Sequence, residues 1–161
     1  MLPSEELRLE IEKKYGIDLK QYAWSEELKQ QIFSIPLDKS LETNADTLGE
    51  IYSHGFNIGH CGLTSRYIAR GFSKANLYYG KAALLVGTKS APNGEHAWTI
   101  LNDQIIDTTL MISIPTSIAK TLGYIQEKEI APISARMLSE YEVYDNEFKL
   151  DQLNEKYKKV K

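Results

Sequence analysis

The chain has 161 residues, 42% of them hydrophobic and 25% charged, with a formal net charge of −3. That is enough chain to bury one core, and the balance excludes a disordered, collagen-like or strongly basic nucleic-acid-binding protein. The lone cysteine excludes an internal disulfide; with an acidic start and no apolar run near the ~20 residues that span a bilayer, it reads as a cytoplasmic protein, secretion without a leader being the other route.

The first third reads as helical. Ser4 is placed to cap a helix that carries Leu7, Ile11 and Tyr15 on one face and stops at Gly16. Ser25 caps a second, with Leu28 and Ile32 on one side. Pro36 then disfavours helix at Ile35, so 35–43 reads as a connection. Asn44 or Asp46 starts a third helix with Leu48, Ile51 and Tyr52, ended by Gly55. A glycine-containing turn, Phe56 to Gly62, leads into a fourth, where Leu63, Tyr67 and Ile68 keep helical spacing and Gly71 is the stop. Cys61 falls at the first turn of that helix.

The period then changes. Leu77 to Thr88 is β-rich, with Ala82–Val86 as a buried strand, and Lys89 to Glu95 is a turn punctuated by Pro92, Asn93 and Gly94. His96 to Leu101 and Gln104 to Thr108 read as strands joined by a two-residue turn at Asn102-Asp103. Pro115 to Gly123 reads as a short helix, Tyr124 to Ile130 as a strand, and Asp145 to Lys161 as a terminal helix ending in solvated lysines. Helices followed by an antiparallel sheet make an α+β fold, here a single domain over 1–161 with helices at both termini.

Thiol chemistry needs a deprotonated sulfur, a base within reach and a group that orients the base. A helix start favours the thiolate of Cys61, and Gly59 and Gly62 leave room for a carbonyl beside it. The backbone N–H groups there suit an oxyanion, with Asn57 as the candidate for a second donor. His96 opens a strand at the rim of a turn. His54 and His60 are weaker rivals as base, and a zinc site built from His54, His60 and Cys61 matches no standard spacing. The hairpin turn sets paired positions to sum to 205, so Trp98 faces Asp107 and His96 faces Thr109. His96 and Asp107 are then diagonal neighbours on one face, about 7–8 Å apart at the backbone and within side-chain reach. Trp98 and His60 are assigned to the substrate side, Trp98 packing beside the imidazole and excluding water.

The stretch Glu95-His96-Ala97-Trp98 through the hairpin to Asp107-Thr108-Thr109 resembles the His-and-Asp motif of transglutaminase-like proteins, a branch of the papain-like thiol enzymes. Gly59-His60-Cys61-Gly62 is similar to the glycine-preceded cysteine that opens their central helix, and Cys61 precedes His96 by 35 positions (96 − 61). Thr108 stands where the motif often has proline. The resemblance covers residues 56–110. It implies a papain-like or transglutaminase-like fold, a Cys61–His96–Asp107 triad and a helix packed on an antiparallel sheet. The expected function is thiol-dependent acyl transfer on an amide (peptidase, amidase, deamidase or transglutaminase) with a protein or peptide substrate, no nucleic-acid or membrane partner and no cofactor. The alternative is a catalytically silent binding or inhibitor module on the same fold.

Overall fold

A computed structural model describes residues 1–36, 47–72 and 75–130. The terminal helix expected over 145–161 lies outside these residues, as does most of the connection at 35–43.

Four helices precede the sheet: α1 (Pro3–Tyr15), α2 (Glu26–Phe33), α3 (Leu48–Ser53) and α4 (Cys61–Gly71). Five strands follow, β1 (Asn76–Ala82), β2 (Glu95–Leu101), β3 (Gln104–Asp107), β4 (Ile112–Pro115) and β5 (Tyr124–Ile130), with a one-turn helix α5 (Thr116–Ala119) before the last. The sheet is antiparallel throughout, in the order β4-β3-β2-β1-β5. The architecture is therefore α+β. Among the described residues no helix is long and apolar enough to cross a membrane.

The helix boundaries follow local chemistry, with three corrections. α1 starts one step before Ser4: Leu2 is the cap, Pro3 occupies the first helical position where no N–H is needed, and the Glu5 carboxylate accepts from the Leu2 N–H at 2.9 Å. Ser4 is instead fully buried inside the first turn. α3 is capped by Thr47, whose hydroxyl accepts from the Glu50 N–H, rather than by Asn44 or Asp46. Ser25 caps α2 as expected, and Gly16 closes α1 in the left-handed conformation at φ 64°. Gly71 is still helical; Phe72 ends α4.

The register places Tyr78, Trp98, Ile105 and Ile114 on one face of the sheet and Ile106 on the other. Each face is covered by its own apolar cluster. Ile11 of α1 joins the first, with Leu85 and Leu110. Leu63, Tyr67 and Ile68 of α4 join the second, with Ile51 and Tyr52 of α3 and Ile32 of α2. The helix that begins at Cys61 thus packs on the sheet, chiefly against β2.

The Asn102-Asp103 turn has both residues at positive φ, 52° and 59°, the conformation a two-residue hairpin requires. The pairs Leu101–Gln104, Ile100–Ile105 and Thr99–Ile106 all sum to 205. The ladder stops there, so Trp98 and Asp107 are not a ladder pair, but the parity that puts Asp107 on the His96 side holds. The sequence reading misplaced one strand and missed another. Ala82–Val86 is not a strand: β1 ends at Ala82, and Ala83–Leu85 is a tight 3₁₀ turn with Leu84 and Leu85 buried. The Ala83 N–H leaves the ladder to bond the Gly123 carbonyl at 2.9 Å. A short apolar run looks alike in a buried strand and a buried turn. β4 escaped notice because four residues carry too little alternation to register as a strand.

Candidate active site

Cys61 is the first residue of α4, after Gly59 at φ 80° and His60 as cap. No side chain caps this helix start, so the partial positive charge of its first turn is directed at the sulfur. Cys61 is 7% exposed. It borders a cleft of about 170 Å³ that the Ala91-Pro92-Asn93 turn also lines.

His96, fully buried, is the second residue of β2 and pairs with Gly80. Its Nε2 lies 2.7 Å from Asp107 Oδ2, and the imidazole also hydrogen-bonds Cys61. Because Nε2 is engaged by the carboxylate, Nδ1 is the nitrogen that serves the sulfur. Burial by itself lowers the basicity of this ring, but the charges of Asp107 and Cys61 outweigh it and push His96 up to about 10. The imidazolium is therefore the favoured form, facing sulfur on one side and carboxylate on the other.

Asp107 closes β3 with no exposed surface. Burial pulls its carboxyl upward, and the His96 charge with three hydrogen bonds overrides that and holds it below its ordinary value. The bonds come from His96, from Tyr124 Oη at 2.6 Å to the same Oδ2, and from the Leu110 N–H at 2.9 Å to Oδ1. A buried carboxylate with this many donors remains charged at little cost.

Tyr124 is the member that sequence reasoning missed. It reads as an ordinary β-strand aromatic, and its role depends on a bulge. β5 pairs Lys128 with Tyr79 but Gln126 with Gly80, leaving Glu127 as the extra residue. That one-residue shift flips Tyr124 onto the face that holds His96 and Trp98. Gly80 permits the approach: a Cβ there would sit 2.0 Å from the Ile125 carbonyl oxygen and 2.9 Å from the Trp98 ring. Burial and the neighbouring Asp107 raise the Tyr124 phenol well above its usual range, so it stays a proton donor.

The other expected site residues fall as follows. Trp98 is 1% exposed and stands edge-on to Tyr124, its centroid 5.9 Å from the His96 ring. It packs beside the imidazole and is not among the residues that line the cleft. Asn57 is fully buried, and its Nδ2 donates to Ser4 Oγ at 2.7 Å and to the Thr108 carbonyl at 2.9 Å. Both amide hydrogens are committed, so Asn57 is a bolt between α1 and the end of β3 and not an oxyanion donor. His60 is exposed at the start of α4 and does not line the cleft. His54 caps the end of α3, with Nδ1 on the Glu50 carbonyl and its ring stacked on Phe56. Among the described residues no three His, Cys, Asp or Glu side chains gather as a metal site. Ser90 and Glu95 line the cleft with Cys61, and no motif marked either in advance.

No protein-family model matches the chain, and neither a curated protein nor a solved structure does.

Proposed function

We propose that the chain is a thiol-dependent acyl-transfer enzyme acting on an amide carbonyl, in the manner of the transglutaminase-like branch of the papain-like enzymes. One observation carries the reading: a sulfur at a helix start, an imidazole and a buried carboxylate form one chain of contacts that opens on a cleft. A structural cysteine needs none of these partners.

In this reading the thiolate of Cys61 attacks the carbonyl carbon, and charge collects on its oxygen. The N–H groups at the start of α4 stabilise that oxyanion; one such donor is typically worth ~10²–10³ in rate. The imidazolium of His96 gives its Nδ1 proton to the leaving amine, which departs and leaves a thioester on Cys61. Neutral His96 then takes a proton from water or from an incoming amine, which attacks the thioester and frees the sulfur. Asp107 holds the ring so that Nδ1 faces the sulfur throughout, and Tyr124 and the Leu110 N–H hold Asp107. A cytoplasmic setting and a protein or peptide substrate accord with a chain of one cysteine whose sulfur borders a cleft.

The test is to incubate wild type and Cys61→Ala with peptide and protein amides and measure mass. A gain of ~1 Da marks deamidation, a loss of ~17 Da crosslinking, and new termini peptide cleavage, each following the acyl-enzyme route of thiol nucleophiles. Wild-type-dependent change in any channel supports the proposal. A thiol that alkylates with an ordinary midpoint near ~8.5, with no mass change, leaves the silent binding module as the better account.

A further inference from the structure

Thr108 follows Asp107 directly, at the position where the transglutaminase-like motif often has proline. Proline would fix the backbone there through its ring and offer no hydroxyl. Thr108 is fully buried, and its hydroxyl oxygen lies 2.6 Å from that of Thr64, which is fully buried too. Thr64 belongs to the first turn of α4, three positions after Cys61 (64 − 61).

The direction of these bonds follows from a third group. The Thr64 hydroxyl also reaches the His60 carbonyl at 3.0 Å, and a carbonyl can only accept. Thr64 therefore donates to His60, and Thr108 donates to Thr64. The bonds run from the end of β3 to the residue just before the sulfur. Thr108 is held by its main chain as well, since its carbonyl accepts from Asn57 Nδ2 at 2.9 Å. Asn57 precedes Cys61 by four positions (61 − 57). The segment that begins at Asp107 is thus tied to the chain on both sides of the sulfur.

These ties bear on one contact of the triad more than on the other. His96 and Asp107 lie on β2 and β3, adjacent strands of one sheet, and meet at 2.7 Å within it. Cys61 comes to them from α4, a helix packed on that sheet. Where α4 begins relative to the end of β3 therefore sets the gap between sulfur and imidazole. We propose that Thr64 and Thr108 are positioning residues, whose hydroxyl bond seats the start of α4 against the end of β3 so that Cys61 meets the His96 ring. This rests on the acyl-transfer reading for its effect on turnover, but not for the placement of the thiol.

The geometry gives the size of the effect. Two hydroxyl oxygens meet here at 2.6 Å, whereas two methyl carbons need about 3.5–4.0 Å. Thr64→Val with Thr108→Val keeps the side-chain shapes and inserts a wedge of about 1 Å. A close-packed interior passes such a displacement on. Stability changes little, because both partners of a buried bond become apolar together. A merely structural bond is then dispensable as a pair, whereas a seat is lost.

The experiment compares wild type, the double valine variant and Thr64→Ser with Thr108→Ser. The readouts are thermal melts, the iodoacetamide rate on Cys61 against pH, and kcat and KM on a peptide amide. The double valine variant melts near wild type, and its thiol alkylates with a raised midpoint, about threefold or more slowly at pH 7. Its kcat falls about tenfold or more, within the ~10² that a 1 Å misplacement can cost. KM moves less, because neither threonine lines the cleft. The double serine variant keeps both hydroxyls and returns the midpoint and kcat toward wild type. If the double valine variant does not fold, Thr108→Ala removes the tie without the wedge and raises the midpoint by a smaller amount. An unshifted midpoint in whichever of these folds overturns the inference. So does a serine variant as defective as the valine one, since the methyl groups and not the hydroxyls would then set the seat. If the midpoint shifts, serine restores it and even wild type turns nothing over, the seat stands and the acyl-transfer reading fails.

Discussion

Replacing Asp107 by asparagine changes charge at constant shape, and the structure dictates the consequence. The Leu110 N–H points at Oδ1 from 2.9 Å, so the amide of Asp107→Asn places its oxygen there and its NH₂ toward His96 Nε2 and Tyr124 Oη. Nε2 must then accept a hydrogen bond, which moves the ring proton to Nδ1, facing Cys61. That neutral tautomer cannot take a proton from the thiol. The same exchange in serine triads costs on the order of 10⁴ in kcat through the same tautomer change. The sulfur also loses its imidazolium. Its alkylation midpoint is expected to rise, toward about 8.5 or above, because the imidazolium no longer offsets the burial of the sulfur. The assay is the iodoacetamide rate on wild type and variant across pH, read by intact mass, with kcat on the substrate found above. An unshifted midpoint, with kcat within tenfold of wild type, would refute the claim that Asp107 sets the state of the ring.

Tyr124→Phe keeps the edge-on contact with Trp98 and removes one donor from a buried carboxylate, so it costs about 1.5–3 kcal/mol. Thermal melts should show Tm falling by about 3–12 °C at pH 7. Because the lost partner is a charged Asp107 with a lowered pKa, the deficit is constant above the ordinary carboxyl value of 3.8 and narrows as pH falls below it. Asn57→Ala opens the junction of Ser4 and the Thr108 carbonyl and costs about 1–3 kcal/mol of stability. Its kcat, measured below the melting range, stays within tenfold, whereas an oxyanion donor would cost ~10²–10³. The raised His96 pKa makes a further prediction: its contribution to stability is whole below 6.5, declines as pH rises, and is gone above about 10. Chemical denaturation of wild type should therefore lose stability from pH 7 to 10, and His96→Asn should flatten that slope.

Local chemistry was enough to read the four helices before the sheet, the hairpin and the Cys61, His96 and Asp107 candidates, because each depends on neighbours along the chain. Ser25 and Gly16 bound helices by hydrogen bonding and by left-handed backbone, and Asn102-Asp103 allows only one register. From that register the parity that joins His96 to Asp107 follows by counting. Tyr124 and the lining of the cleft at Cys61 were beyond such counting. Tyr124 reaches Asp107 only because a bulge opposite Gly80 re-phases β5, a relation between strands more than forty positions apart in sequence. Asn57 looked available for an oxyanion until packing brought Ser4 and Thr108 to both of its hydrogens. A residue's type and its spacing are carried by the chain itself. Which donors meet which acceptors is decided when distant elements pack, since burial forces each polar group to find whatever partner lies within about 3 Å.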